Sequence, residues 1–155
     1  MNRFDKFMQI ILLNEGGLSD NVNDSGGLTK YGISQKAYPK LNIRALTIEQ
    51  AKAIYKRDYY DIVKAELIKD ELLALHVFDM AVNAGCSRAA KLLQKTVGAP
   101  QDGIISNITL GKANAGKFVD KYIVERIMYY HSIAGWKNEV FFKGWINRVI
   151  INCKI

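Results

Sequence analysis

The chain has 155 residues, of which 49% are hydrophobic and only two are proline. That composition excludes a disordered or low-complexity chain and suits one folded domain with a sizeable core. The formal net charge of +7 implies an anionic partner, which nucleic acid, an acidic membrane surface or a cell-wall polymer would each supply.

Phe4, Phe7, Met8, Ile11 and Leu12 recur at i, i+3, i+4, i+7 and i+8, which predicts an amphipathic first helix. Asp5, Lys6 and Gln9 interrupt its apolar run, and no small-residue cleavage site follows, so the segment reads as a helix rather than a signal peptide. No run of about 18 apolar residues predicts a spanning helix. Gly16 and Gly17 end the first helix. Residues 18–34 carry Asp, Asn, Ser and paired Gly, and predict turns with a short irregular hairpin.

A second helix starts at Thr47, an N-cap that Gln50 completes as a capping box, with Ala51, Ile54, Tyr55 and Tyr59 facing inward. The stretch from Asp70 to Gly85 is apolar almost all round, as expected of a helix at the centre of a domain. Gly85 closes it, and Ser87 is expected to cap the next helix, residues 88–98. Asp102-Gly103 predicts a turn. A long helix follows through Phe118, Val119, Tyr122, Ile123, Ile127 and Tyr130, and a last one buries Phe142, Trp145, Ile146, Val149 and Ile150. The fold class is therefore mostly α, with a small irregular or β element after the first helix. Cys86 and Cys153 are expected to be free thiols, and no Cys or His spacing suits a metal.

The chemistry concentrates near the end of the first helix. A carboxyl there faces the negative end of the helix dipole, which opposes ionisation. Glu15 is thus a candidate general acid, against the bland reading of a solvated helix-end glutamate. Asp24 lies nine residues on, in a loop able to fold back over Glu15. Two carboxylates across a cleft suit glycoside hydrolysis, one protonating the leaving oxygen and the other activating water. Asp20 could fill the same role, and the residues alone do not decide between them. Thr29 offers a hydroxyl to hold the water. Ordinary turn chemistry would account for the same Asn, Asp, Ser and Gly residues.

These residues also carry a resemblance. Glu15-Gly16-Gly17, then Asn23-Asp24-Ser25-Gly26-Gly27-Leu28-Thr29-Lys30-Tyr31-Gly32-Ile33-Ser34, resembles the N-terminal signature of the glycoside hydrolase 108 family of bacterial and phage muramidases. The likeness continues through residues 46–61 and 77–85. In the C-terminal half, residues 92–110 and 141–149 resemble the family's predicted peptidoglycan-binding region. The resemblance implies an α+β lysozyme-like domain over residues 1–155, with a catalytic part at 1–90 and a helical, predicted peptidoglycan-binding part at 91–155. It implies cleavage of the β-1,4 bond between N-acetylmuramic acid and N-acetylglucosamine, with Glu15, Asp24 and Thr29 as the catalytic residues. Leu18 stands where the family usually has an aromatic residue, and Ser106 replaces the second glycine of a repeat motif.

Asp79 and Asn83 share a face of the apolar helix. Buried polar groups need partners, so the pair is expected either to bond the 18–34 loop or to line a sugar cleft. Tyr31 and Tyr59 are candidate sugar contacts, although aromatic residues at helical spacing are more often core. His76 and His131 are read as packing or surface residues. The expected partner is peptidoglycan glycan, acted on by a monomer without cofactor, stable membrane insertion or nucleic acid. The protein is expected to be made in the cytoplasm and to reach the wall by release, as an endolysin does, or by export. The rivals are a lytic transglycosylase using Glu15 alone, a non-catalytic wall-binding module, and a nucleic-acid binder suggested only by charge.

Overall fold

The computed structural model describes residues 1–15, 18–19, 28–134 and 139–153, without side-chain detail for residues 15, 18, 19 and 139–141. The chain forms two compact units, Met1–Arg57 and Asp58–Ile155.

In the N-terminal unit, helix α1 spans Arg3–Glu15. Its predicted inward residues Phe7, Met8 and Ile11 have no exposed surface. A small antiparallel sheet follows, with strands β1 (Leu18–Ser19), β2 (Thr29–Lys30) and β3 (Ile33–Ser34) in that spatial order. Helix α2, Ile48–Tyr55, begins with the predicted capping box, in which Thr47 accepts from the Gln50 N–H and the Gln50 side chain accepts from the Thr47 N–H. A partly exposed ion pair, Lys52 to Asp5 at 2.9 Å, ties α2 to α1. After Tyr55 the winding loosens to a π-helical turn, Lys56–Tyr60, so Tyr59 is half-buried rather than continuing the apolar face of α2.

The C-terminal unit is built around α3, Glu71–Ala84, capped by the Asp70 carboxylate on the Leu73 N–H. As its all-round apolarity predicts, every residue from Leu73 to Ala81 is buried. Helices α4 (Cys86–Val97), α6 (Val119–Ala134) and α7 (Glu139–Asn152) pack on it. A single residue separates α3 from α4. Gly85 takes φ +89°, which reverses the chain at no steric cost, and α4 starts at once. Ser87 therefore lies inside α4 and does not cap it, contrary to expectation. A short helix that the sequence reading missed, α5 (Asn107–Ala113), is capped by Ser106 on the Thr109 N–H. The buried Gln94 amide fixes the Asp102-Gly103 turn, donating to Asp102 Oδ1 at 2.6 Å and to the Ile104 carbonyl at 2.9 Å, and accepting from the Gly103 N–H at 3.0 Å.

Candidate active site

Glu15 is the last residue of α1, and no basic residue stands in the helix's final turn to offset its charge. β1 begins three residues later, so Glu15 is tethered within about 10–11 Å of that strand, measured along the chain.

The sheet places the rest. Ser19 pairs with Thr29, and Thr29 with Ser34, which sets three hydroxyl residues in one cross-strand row. Leu18, Lys30 and Ile33 form the adjacent row. Thr29 is on the central strand and half-buried. Tyr31 follows at φ +53°, a left-handed conformation that a non-glycine residue keeps only when its surroundings hold it there. The hold is visible: the buried Tyr55 hydroxyl donates to the Tyr31 carbonyl at 2.8 Å. The Lys30 ammonium sits 5.5 Å from the Tyr31 ring centre and donates to the Arg44 carbonyl at 3.1 Å. Asp20 and Asp24, in the stretch joining β1 to β2, lie outside the described residues, as does the Glu15 side chain.

The N-terminal unit also has a pocket of about 600 Å³ between residues 37–41 and α2, with Pro39, Lys40, Leu41, Ile54 and Arg57 in its lining. It contains none of Glu15, Thr29 or Tyr31.

In the C-terminal unit, Tyr59 is half-buried. Asp79 requires a correction. It has no exposed surface and cannot face a sugar; its two carboxylate oxygens accept from Arg126 Nη2 and Arg148 Nε, each at 2.8 Å. Burial opposes its ionisation, but the two guanidiniums prevail and hold its carboxyl below the usual range. Asn83, half-buried, accepts from the Tyr130 hydroxyl at 2.9 Å, and Arg126 Nη2 donates to the same hydroxyl oxygen at 3.0 Å. Asp79 and Asn83 thus both take part in one network joining α3, α6 and α7.

His76 belongs to that network too. Arg126 Nη1 lies 3.0 Å from His76 Nδ1. A guanidinium only donates, so Nδ1 accepts and the ring proton sits on Nε2. Nε2 in turn lies 3.6 Å from the Cys153 sulfur. Burial first, and the Arg126 charge second, push the His76 pKa down to about 3. Both cysteines are free thiols. Among the described residues no three His, Cys, Asp or Glu side chains cluster as metal ligands would, and no helix is long and apolar enough to cross a membrane.

Two comparisons bear on this arrangement. The family described as glycosyl hydrolase 108 matches residues 8–85, a span that takes in Glu15, the sheet, α2 and α3. A solved structure, "Structure of Brucella abortus SagA", is similar with a TM-score of 0.81 and 31% identity, over 97% of this chain and 92% of that one. No curated protein sequence matches. The fold is the mostly α, lysozyme-like one that the sequence predicts.

Proposed function

The chain belongs to the glycosyl hydrolase 108 family, and we propose that it hydrolyses the β-1,4 bond between N-acetylmuramic acid and N-acetylglucosamine in peptidoglycan. The observation that carries the reading is the position of Glu15, which ends α1 immediately before Gly16-Gly17 with no basic residue in the last turn. A carboxyl kept protonated there delivers its proton to the leaving glycosidic oxygen. Asp24 activates the water that attacks the anomeric carbon, and Thr29, on the central strand, holds that water. Asp20, Tyr31 and Tyr59 contact the sugars. The net charge of +7 suits a wall rich in peptide carboxylates. An endolysin, acting on the wall from within after release, is the biological role proposed for this chemistry.

Mass spectrometry of products from purified peptidoglycan tests the reading. Hydrolysis yields reducing muramic ends. Anhydro-muramyl ends, lighter by one water, would replace it with transglycosylation, and intact glycan strands would leave only a binding module.

A further inference from the structure

Strands β2 and β3 pair Thr29 with Ser34 and Lys30 with Ile33, so Tyr31 and Gly32 alone make the turn between them. Both take left-handed backbone, Tyr31 at φ +53° and Gly32 at φ +77°. A two-residue hairpin turn of that hand matches the twist of its strands, and Asn-Gly, Asp-Gly or Gly-Gly suits it best. Gly32 meets the demand. Tyr31 does not, because its Cβ crowds the backbone in that region.

A contact from outside the hairpin holds the strained residue. The Tyr31 carbonyl lies outside the ladder that Lys30 and Ile33 close, and the Tyr55 hydroxyl donates to it at 2.8 Å. Tyr55 ends α2 and is 2% exposed, so the core fixes the donor. The hairpin has a second tether, since the Lys30 ammonium donates to the Arg44 carbonyl at 3.1 Å and lies 5.5 Å from the Tyr31 ring centre. Asparagine at this position would form the turn unaided. Strain of this kind persists where a site uses it, and what tyrosine adds over asparagine is a ring. That ring belongs to a half-buried residue, so part of Tyr31 remains open to a ligand. A flat amphipathic ring on a stiff turn suits the apolar face of a sugar.

We infer that Tyr55 is a positioning residue for sugar binding, its hydroxyl holding the Tyr31-Gly32 turn in the left-handed form that presents the Tyr31 ring. Tyr55 acts through Tyr31 and does not itself touch the sugar. The inference rests on the reading of Tyr31 as a sugar contact and names the group on which that contact depends.

Tyr55→Phe removes the hydroxyl and leaves the apolar packing of α2 intact. Titration calorimetry of the full chain compares wild type, Tyr55→Phe, Tyr31→Gly and the double variant. The probe is a soluble tetrasaccharide of alternating N-acetylglucosamine and N-acetylmuramic acid. Apparent affinity falls with the fraction of molecules whose turn leaves the binding form. Tyr55→Phe is therefore expected to weaken binding about three- to tenfold, the range of one hydrogen bond. In the Tyr31→Gly background the turn forms without strain and no ring remains to place, so adding Tyr55→Phe should leave the affinity unchanged. A hydroxyl with a merely structural role would lower the melting temperature with the affinity unchanged, or weaken binding by the same factor in both backgrounds. Either result overturns the inference, as does wild type that fails to bind the tetrasaccharide. Cleavage is scored separately, by mass spectrometry of products from purified peptidoglycan. Cleavage without coupling between residues 31 and 55 removes this inference alone, whereas coupling without cleavage upholds it and removes the hydrolytic reading.

Discussion

Arg126 and Asp79 form an ion pair at 2.8 Å in which neither side chain has any exposed surface. Arg148 donates to the other oxygen of the same carboxylate, so α6 and α7 are both anchored to α3 through one residue. Truncating one member of a buried pair strands a charge and costs about 3–5 kcal/mol. Asp79→Ala is therefore expected to lower stability by about that amount, measured by urea unfolding, with Asp79→Asn losing less. Under conditions where Asp79→Asn is folded, its KM for peptidoglycan should match wild type. A raised KM with normal stability would return Asp79 to the sugar site.

His76 predicts a pH dependence of stability. Its folded pKa of about 3 lies below the ordinary 6.5. Between those values the unfolded chain binds a proton that the folded one refuses, so the contribution is complete above about pH 6.5 and is lost as pH falls toward 3. The slope for one such group approaches about 1.4 kcal/mol per pH unit inside the window. Physically, a proton on Nδ1 would face the Arg126 guanidinium, donor against donor. His76→Asn keeps an acceptor near Nδ1 but cannot titrate. Its stability should vary less between pH 6.5 and 3, and an unchanged slope would mean that other groups set it.

The buried network shows where sequence reading stops. The 3.6-residue period of α1, the Thr47-Gln50 box and the apolar α3 are local patterns, and each forms as predicted. Arg126 stands 47 residues from Asp79, and nothing local announces that they meet. A signal was nonetheless present. Tyr122, Arg126 and Tyr130 share one stripe at i, i+4 and i+8, and all three are buried. A cation on an inward stripe demands an anion, and Asp79 on the apolar α3 was the available one. Helix α5 escaped notice because it has only seven residues and contains Gly111. Of the candidate site, the order Glu15, strand, Thr29 was legible from glycine and turn residues. Tyr31's left-handed backbone depends on Tyr55, 24 residues away.

Gly103 is expected to resist substitution for two separable reasons. It takes φ +82°, and a Cβ there would lie 2.5 Å from Ser87 Oγ. Gly103→Ala should destabilise by more than about 1 kcal/mol in thermal or urea unfolding. Part of that loss belongs to Ser87, so Gly103→Ala should cost less in a Ser87→Ala background. Strict additivity of the two changes would assign the whole effect to the backbone.

Glu15 predicts the largest effect on activity. Glu15→Gln keeps size and polarity but has no proton to deliver, and loss of general-acid help typically costs on the order of 10²–10⁴ in rate. The change falls at a helix end, where no basic residue in the last turn depends on the charge. Stability should therefore hold or rise slightly, because an anion at the negative end of the dipole is removed. The expected pattern is a collapse of kcat on peptidoglycan, an unchanged melting temperature and retained binding to insoluble wall. An isolated fall in binding with normal kcat would make Glu15 a sugar contact. Activity at the wild-type level would remove it from the mechanism and move the search for the acid to Asp20 and Asp24.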